Sequence, residues 1–570
     1  MSTTVSHVIA DTLVQAGAKR CYGIVGDTIN HFTDAIRHTD LKWVNVRHEE
    51  VGGFAAGAEA YMTEQLAVCA GTCGPGSLHF VNGIFESHRN GAPVVLIASN
   101  IDRAEEGMDF PQELDQTKIY EQCSVFCKRI SHPDQARRIV TQAAQAALAH
   151  KGVAVVVVNG DVFKEKIDDD LPWSVHQPQP VIRPSDDELK KLAGMILDAK
   201  RITIYAGIGA RKAHDQLITL AKKLNAPIAH SSRAKEFVEP NNPFNIGMTG
   251  ILGNLAGVQA MSDCDLLICL GSDFAYTQFY PEKARIVQIN KEANHLGRRS
   301  PIELGLVGDV KDTLAALTPL LEQKSDNRHL NESLEQWKKD TQGYNKKAKH
   351  DSDLIHPQYL AQLLSEQATD NAIFTADEGS PMVWLLRHLK ATGERRFLAS
   401  LLHGTMANAY PQALGIANAY PDRQVIAMCG DGGITMLLGD LLTLVQEKIA
   451  VKILIFNNDS LGFVEMEQRV EGLLDSYTGL SNPNFALLAQ QIGLHSWQVS
   501  DPDELPSTMR AWLDAKGPAL LEVKVNRMEL VMPPKIEAGQ VASTALFGLK
   551  AVLNGRTNEV VSLLRDNFIK

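Results

Sequence analysis

The sequence feature that most constrains the fold is a pair of polar turns, each directly after a short apolar run. A glycine-rich turn at 430–433 follows the run 425–429, and an asparagine pair at 457–458 follows the run 451–456. Both runs have the length and the β-branched content of buried strands, and residues 437–448 between them are spaced as in a helix. A strand, a helix and a second strand in this order form a crossover whose two strands lie parallel.

Asp431 and Asn458 would meet at the carboxyl ends of these two strands, where open parallel sheets bind ligands. A carboxylate, an amide oxygen and a backbone carbonyl suit Mg²⁺, which also takes waters and substrate phosphates as ligands. Gly432 and Gly433 let the backbone approach a phosphate group closely. We therefore predict a metal-bridged diphosphate site, and a glycine-bearing turn beside an unrelated asparagine pair is the alternative.

Length and charge narrow the class of protein. At 570 residues the chain is too long for one hydrophobic core, which predicts three or four domains. The formal net charge of −11 argues against a nucleic-acid partner, because phosphate backbones are bound by basic surfaces. The eight cysteines lie mostly in apolar surroundings, as expected of buried thiols in a reducing compartment. Neither a signal peptide nor a membrane-spanning run is visible, so we expect a cytoplasmic protein.

The chain divides into three α/β blocks and a tail. The blocks are residues 1–175, 183–330 and 350–530, and the tail is residues 533–570. A proline-rich stretch joins the first two blocks, and a charged stretch separates the second from the third. Continuous apolar strands that alternate with helices indicate parallel sheets covered on both faces. We therefore predict the α/β class, with three doubly wound parallel-sheet domains followed by a helical tail.

The paired turns resemble the cofactor signature of the thiamin-diphosphate-dependent enzymes. The resemblance implies that Asp431 and Asn458 offer side-chain oxygens to Mg²⁺ and that Ser460 offers its carbonyl. Two diphosphate oxygens of thiamin diphosphate would complete the metal shell, with Gly432 and Gly433 at the diphosphate turn. The three blocks would then be a pyrimidine-binding domain, a central FAD-binding domain and a pyrophosphate-binding domain.

Two further segments carry the resemblance. Glu49 follows a short strand and precedes a helix of small residues, as does the family's glutamate that binds the cofactor pyrimidine and promotes formation of the ylid. A solvated acid in the first turn of a helix is the alternative. In the third block the resemblance assigns the Gly404 carbonyl, Thr405 and Met406 to the cofactor, with Met406 as a wedge between its two rings. An ordinary core methionine is the alternative there.

The middle block resembles the FAD-binding domain of the pyruvate oxidases. The resemblance assigns these positions to the flavin: Thr249, Gly250, Ser272, Asp273, Phe274 and Asn290. Asn290 stands where the family commonly has an acid, so an amide replaces the carboxylate that would contact the ribose or the adenine. A Gly-x-Gly sequence at 207–209 lacks a third glycine and does not indicate NAD.

The resemblance is closest to the FAD-containing pyruvate oxidases that deliver electrons to a membrane quinone. It implies oxidative decarboxylation of pyruvate to acetate and CO₂ through the thiamin ylid, with two electrons passing through FAD. Phe463 is then a candidate for the path between thiamin and flavin, and a packed aromatic is the alternative. Two other interpretations stay open: a carboligase similar to acetolactate synthase, whose flavin is structural, and a non-catalytic scaffold.

The tail and the oligomeric state complete the expectations. From residue 545 onward, apolar residues recur at helical spacing with basic residues among them. Such a helix docks on a lipid surface when exposed, or packs on its own subunit. We expect a cytoplasmic protein that becomes peripheral on the inner face of the cell membrane when activated. The resemblance also implies a homo-oligomer, a tetramer by the family's pattern, because each active site joins two subunits.

Overall fold

A computed structural model of the protein contains three six-stranded parallel sheets flanked by helices, which confirms the predicted α/β class. The structure describes residues 3–168, 173–348, 350, 354–529, 547, 550 and 551. One sheet falls in each predicted block. The eight cysteines are free thiols, and seven of them are buried, as their apolar surroundings predict.

The first block is built on a sheet with the order β3-β2-β4-β5-β7-β6, and β1 pairs with β8 beside it. The strands are β1 Thr3–Thr4, β2 Arg20–Gly23, β3 Lys42–Asn45, β4 Ala67–Gly71, β5 Val94–Asn100, β6 Phe126–Ile130, β7 Val153–Asn159 and β8 Lys166–Ile167. The helices are α1 Val5–Gln15, α2 Asn30–Ile36, α3 Glu49–Thr63, α4 Pro75–Leu78, α5 Val81–Asn90, α6 Gln116–Tyr120, α7 Ala136–His150 and α8 Gly160–Phe163. The adjacent strands β5 and β7 are buried along their whole length, as their apolar sequences predict.

The middle block is built on a sheet with the order β11-β10-β9-β12-β13-β14. The strands are β9 Ile202–Ala206, β10 Ile228–His230, β11 Asn245–Met248, β12 Leu266–Leu270, β13 Arg285–Asn290 and β14 Leu304–Val307. The helices are α9 Asp186–Asp198, α10 His214–Leu224, α11 Lys235–Val238, α12 Leu255–Ser262, α13 Val310–Leu317 and α14 Arg328–Lys347. Ser185 and Glu188 form a capping box that starts α9 where the sequence predicts a polar helix.

The third block is built on a sheet with the order β16-β15-β17-β18-β20-β19. The strands are β15 Ile373–Ala376, β16 Arg396–Ala399, β17 Val425–Gly430, β18 Val451–Asn457, β19 His495–Val499 and β20 Ala519–Lys524. The helices are α15 Pro357–Gln367, α16 Ser380–His388, α17 Ala409–Ala419, α18 Asp431–Met436, α19 Leu441–Gln446, α20 Gly462–Val470, α21 Phe485–Gln491 and α22 Leu505–Asp514. The strands β17 and β18 are parallel neighbours, so the predicted crossover is confirmed.

The strand orders show where each sheet changes its winding direction. Numbered within its own sheet, the order is 2-1-3-4-6-5 in the first and third blocks and 3-2-1-4-5-6 in the middle block. The direction reverses between β2 and β4, between β9 and β12, and between β15 and β17. Open parallel sheets bind ligands outside the carboxyl ends of their strands at such a switch point. The first and third blocks thus share one topology, which the sequence does not reveal.

The first and third blocks pack against each other through α3 and α17, two helices rich in small residues. A Cβ atom at Gly415 would lie 2.0 Å from the carbonyl oxygen of Ala55, so only glycine permits this approach. The carboxylate of Asp440 accepts hydrogen bonds from the backbone N–H groups of Arg47 and His48. These contacts hold the start of α3 against the third block.

Two segments differ from their sequence-based predictions, and a third segment, the tail, cannot be compared over most of its length. The predicted helix at 437–448 is interrupted, because a 3₁₀ turn at Leu438–Asp440 precedes the short α19. The charged stretch between the second and third blocks folds largely as α14, which packs on α12. Most of the tail lies outside the described residues. Among the helices that the structure describes, none has the length and apolarity needed to cross a bilayer.

Candidate active site

A cleft with a volume of ≈ 80 Å³ opens at the carboxyl edge of the third sheet, at the switch point between β15 and β17. The loops after β15, β17 and β18 and the start of α20 form its walls. Asp431, Asn458 and Ser460, the predicted metal ligands, all line this one cleft. Met406 and Phe463 line it too.

Asp431 is the first residue of α18, directly after β17, and it is 2% exposed. Its Oδ1 accepts the N–H of Gly432 at 2.9 Å, and its Oδ2 accepts a hydrogen bond from Asn482 Nδ2 at 2.9 Å. Burial raises the pKa of this carboxyl to about 6, because desolvation disfavours the charged form. A divalent cation beside it would favour the carboxylate, so the position suits a metal ligand.

Asn458 and Ser460 lie on the loop that joins β18 to α20. Asn458 Oδ1 accepts the N–H of Ser460 at 3.2 Å. The Ser460 hydroxyl donates to the buried carboxylate of Glu465, which also pairs with Arg469 and Arg527. The Ser460 side chain is thus occupied, and its backbone carbonyl is the group it can offer a metal.

The donor set of the cleft fits a magnesium ion that is bound together with a diphosphate. No group of three or more His, Cys, Asp or Glu residues in the described part of the chain could hold a metal ion. One carboxylate, one amide and one carbonyl leave several positions in the octahedral shell of Mg²⁺, which phosphate oxygens and water fill. Gly433 in the glycine turn has no room for a side chain, because a Cβ there would lie 2.2 Å from Asp377 Oδ2.

The segment 404–406 divides between the cleft and the first block. Met406 lines the cleft, and its Cε would lie 3.3 Å from a Cβ built on Gly432, so the side chain reaches the glycine turn. Gly404 has a φ of 77°, which favours glycine. Thr405 Oγ1 accepts a hydrogen bond from Asn82 Nδ2 of the first block at 3.0 Å. Gly404 and Thr405 are not among the cleft's lining residues.

Glu49 begins α3, as predicted, and is 5% exposed. Its Oε2 lies 2.9 Å from His79 Nδ1, and the His79 ring stacks on that of His48 at 4.7 Å between centroids. No described residue of the first block lines the cleft that holds Asp431. Within one chain, therefore, Glu49 and the predicted metal ligands do not share a cavity.

Two acids that follow β15 are functional candidates that the sequence analysis did not identify. Asp377 is buried, and its carboxylate accepts the N–H groups of Ala409 at 2.9 Å and Gly430 at 3.1 Å. Burial raises its pKa to about 7. Asp377 thus fixes the end of β17, and Glu378 beside it lines the cleft. An acid directly after an apolar strand, the signal used for Asp431, was present here as well.

The positions assigned to the flavin lie at the carboxyl edge of the middle sheet. Thr249 and Gly250 follow β11, and a Cβ on Gly250 would lie 3.2 Å from the ring of Phe274, which follows β12. The Thr249 hydroxyl is buried and has no hydrogen-bond partner among the described residues. This unpaired group and the adjacent ring fit a ligand that has both polar and aromatic surface, as a flavin has.

The other flavin positions are engaged within the fold. Asp273 pairs with Arg298 and Arg299. The Ser272 carbonyl accepts a hydrogen bond from Gln288 Nε2 at 3.1 Å. Asn290 Oδ1 accepts the N–H of Glu292 at 3.1 Å, so this amide supports its own turn. Thr249 and Phe274 are therefore better placed than Asp273 and Asn290 to contact a flavin.

The described part of the tail packs on α20, the helix that starts at the cleft. Phe547 is buried, and the Arg469 guanidinium lies 5.4 Å from its ring centroid. Lys550 Nζ donates to the Gly472 carbonyl at 2.7 Å, and Met466 packs on the same small cluster. These described residues of the tail rest on their own subunit, which is one of the two alternatives that the sequence leaves open.

Three domain families match the chain in order. The N-terminal TPP binding domain of the thiamine pyrophosphate enzymes matches residues 3–119, and the central domain of the same enzymes matches residues 189–317. The C-terminal TPP binding domain matches residues 377–523, which contain the cleft. Each match falls in a different one of the three blocks that hold the sheets.

Relatives are similar over most of the chain. A putative thiamine pyrophosphate-containing protein, YdaP, of Bacillus subtilis is 34% identical over 99% of this chain and 98% of its own length. A pyruvate oxidase of Lactiplantibacillus plantarum is 28% identical over 86% of this chain and 83% of its own. An acetolactate synthase large subunit of Parasynechococcus marenigrum is 29% identical over 94% of this chain and 90% of its own. From its domains, their order and this full-length similarity, the chain belongs to the thiamine pyrophosphate enzyme family.

Proposed function

We propose that the protein catalyses the oxidative decarboxylation of pyruvate to acetate and CO₂, with electrons passing through FAD to a membrane quinone. The observation that carries the proposal is the single cleft that contains Asp431, Asn458 and Met406. A protein named pyruvate oxidase is similar to most of the chain, which supports this reaction. When bound, thiamin diphosphate would supply the nucleophilic carbon that attacks the 2-oxo group, and FAD would accept two electrons.

Each residue of the cleft has a physical role in this proposal. Asp431 and Asn458 hold Mg²⁺, and the glycine turn lets the diphosphate approach the backbone at the start of α18. Met406 supports the bent cofactor from the side of the glycine turn. Glu49, buried at the start of α3, exchanges a proton with the pyrimidine ring. Phe463 lines the same cleft and can lie beside the path of the electrons.

The site is completed by a second copy of the chain in this proposal. Glu49 does not line the cleft of its own chain, although both groups are needed at one cofactor. Two copies related by a twofold axis would bring Glu49 of each onto the cleft of the other. A homodimer is then the smallest active unit, and we propose a tetramer, two such pairs.

An absorbance spectrum of the purified protein tests the proposed reaction. The protein should show the yellow flavin bands, and pyruvate added with Mg²⁺ and thiamin diphosphate should bleach them. A membrane quinone analogue should restore the bands without oxygen. A protein that lacks flavin, or a flavin that stays oxidised with pyruvate, would refute the oxidase.

A carboligase similar to acetolactate synthase is the second candidate. An acetolactate synthase is similar over 94% of the chain, and this similarity supports the carboligase as an alternative function. A carboligase joins two 2-oxo acids without net oxidation, so pyruvate would leave the flavin oxidised. Acetolactate formation, measured beside dye reduction on the same sample, separates the two reactions.

We place the protein in the cytoplasm and, when activated, on the inner face of the cell membrane. The support is the apolar and basic pattern of residues 545–570. Truncation after Met532 should leave pyruvate oxidation with a soluble dye intact and should abolish stimulation by lipid vesicles. Stimulation that persists in the truncated protein would remove the membrane role.

A further inference from the structure

Glu378 occupies the switch point of the third sheet. It follows Asp377 at the end of β15 and precedes α16, and its side chain lines the same cleft as Met406 and Asp431. Its backbone N–H donates to Asn408 Oδ1 at 3.3 Å, which fixes the loop against the start of α17. The carboxyl group therefore projects from an anchored backbone.

One carboxyl oxygen of Glu378 has no partner within the fold. Its Oε2 is fully buried and makes no hydrogen bond to any described residue. A buried oxygen without a partner lowers the stability of the folded state, and here the oxygen belongs to an acid that lines the cleft. In the cleft, the missing partner can be a ligand.

Glu86 lies close enough to Glu378 for their negative charges to repel each other. The two residues differ in whether the protein satisfies their carboxyl oxygens. One Glu86 oxygen accepts hydrogen bonds from Asn90 and Gln412, and the other accepts the Ser400 hydroxyl. Every acceptor of Glu86 is thus satisfied by the protein, and its side chain does not line the cleft. Glu86 supports the contact between the first and third blocks, whereas Glu378 is left open toward the cleft.

The groups around Glu378 favour its protonated form. Burial, and then the negative charges of Glu86 and Asp377, raise the pKa of Glu378 to about 7. Tyr276 approaches from the middle block, and the charge of Glu378 helps to raise the pKa of its phenol. The positive charge of Arg233 lowers the pKa of Glu86. Near neutral pH, Glu378 can hold or release a proton at little cost.

On the basis of the proposed decarboxylation of a 2-oxo acid, we propose that Glu378 is a proton-transfer residue of this cleft. Bound thiamin diphosphate would supply the nucleophilic carbon, and attack on the 2-oxo carbon would move the π electron pair of the C=O bond to the oxygen. Glu378 gives this oxygen its proton and becomes a carboxylate. The carboxylate takes the proton back when two electrons leave for the flavin of the proposed reaction and the C=O bond of the acyl product forms, so the residue ends as it began.

The pH dependence of kcat/KM for pyruvate, measured with a soluble dye from pH 5.5 to 8.5, tests the proposal. The wild type should show an ionisation near pH 7. Glu378→Gln should lose it and fall by about 100-fold, the typical contribution of a proton-transfer group. Glu378→Asp should recover part of the rate and the ionisation. Glu86→Gln, the matched control, should keep the rate and move the ionisation toward lower pH, because a repelling charge is gone.

Two further measurements distinguish a wrong role for Glu378 from a wrong proposed function. Calorimetric titration with thiamin diphosphate and Mg²⁺ should give equal affinities for the wild type and Glu378→Gln. Infrared difference spectra of the wild type should contain several protonated carboxyl bands that titrate near pH 7, because Glu86 and Asp377 titrate there as well as Glu378, and one band should be missing in Glu378→Gln. If Glu378→Gln keeps the wild-type profile, or the band stays, the role of Glu378 is refuted. A wild type that binds thiamin diphosphate but does not consume pyruvate instead refutes the proposed function.

Discussion

At the scale of single residues, the cleft depends on acids that are buried for different reasons. Asp431 is buried beside Asn482 and offers an oxygen to a cation, whereas Asp377 is buried to hold the backbone of β17. Both carry pKa values raised by desolvation. A bound cation would complete the contacts of the first, whereas the protein alone satisfies the second, and this difference predicts different responses to mutation.

Asp431→Asn should weaken binding of thiamin diphosphate in the presence of Mg²⁺ by about 100-fold, because a neutral amide replaces the one carboxylate among the metal ligands. Calorimetric titration at fixed Mg²⁺ measures the change. Asp459→Asn is the matched control, since Asp459 lies near the same cleft but is half exposed and pairs with Lys524. Equal affinities in the two variants would show that Asp431 does not hold the metal.

The raised pKa of Glu86 should make the folded protein less stable as the pH rises. Its pKa is raised from 4.5 to about 7 in the folded protein, mainly by burial. Between these values the folded state keeps a proton that the unfolded chain releases, so the free energy of unfolding falls with rising pH. The total fall is about 3 kcal/mol from this group.

Urea denaturation of the wild type and Glu86→Gln at pH 5 and pH 8 measures this contribution. The wild type should lose more stability than the variant between the two pH values, because the amide does not titrate. Asp377 and Glu378 titrate in both proteins, and loss of the Glu86 charge lowers the pKa of Glu378 in the variant, so the comparison measures Glu86 together with its effect on Glu378. Parallel losses in the two proteins would mean that Glu86 is ionised in the fold.

At the scale of elements, α20 connects the metal loop to the tail. Its Glu465 contacts Ser460 on the loop, and Arg469, one turn later, contacts both Glu465 and the ring of Phe547. Arg469 and the buried carboxylate of Glu465 therefore link Phe547 of the tail to Ser460 of the loop. The sequence shows the acid and the base one turn apart but not what they touch.

Glu465→Gln should lower the affinity for Mg²⁺ and thiamin diphosphate by about 10-fold, since the loop loses an anchor but no ligand. It should also lower stability by about 3 kcal/mol, because two guanidinium groups lose a buried partner. Thermal unfolding and calorimetric titration measure the two effects. Glu467→Gln, two residues further on the exposed face, should change neither. An unchanged affinity in Glu465→Gln would show that Ser460 is not held by this contact.

At the scale of the whole molecule, one chain does not contain a complete site. The first and third blocks share one strand order and pack through α3 and α17, yet Glu49 stays out of the cleft of its own chain. A second copy that supplies Glu49 would complete two sites at once. This arrangement makes activity a property of the dimer.

Mixing two inactive variants tests this arrangement. Glu49→Gln and Asp431→Asn homodimers should each be nearly inactive, because every site has one defect. A heterodimer should have one intact site and one doubly defective site. Random co-assembly yields half heterodimers, so the mixture should recover about a quarter of wild-type activity. No recovery in verified heterodimers would place both residues in a site of one chain.

The sequence alone indicated much of the architecture and the third-block half of the site. Apolar runs and polar turns gave the three sheets, and the strand ends of β17 and β18 indicated Asp431 and Asn458. Local spacing suffices here, because consecutive strands of a crossover lie side by side. The start of α3 at Glu49 was likewise visible in the sequence.

Contacts between distant parts of the chain had to come from the tertiary structure. The pairing of Glu465 with Arg527, the contacts of Glu86 with Ser400 and Gln412, and the contact of Asp440 with Arg47 join residues that are far apart in the sequence. The positions assigned to the flavin show the same limit, since Asp273 after β12 pairs with Arg298 after β13.

The sequence by itself determined the α/β class, the order of three sheets and the pair of turns at their ligand edge. These features follow from hydrophobic periodicity and chain direction, which are local properties. Only the tertiary structure decided which acids are satisfied and which are left open, and that Glu49 lies apart from the cleft. Burial and hydrogen-bond partners depend on packing between segments hundreds of residues apart, which no local pattern encodes.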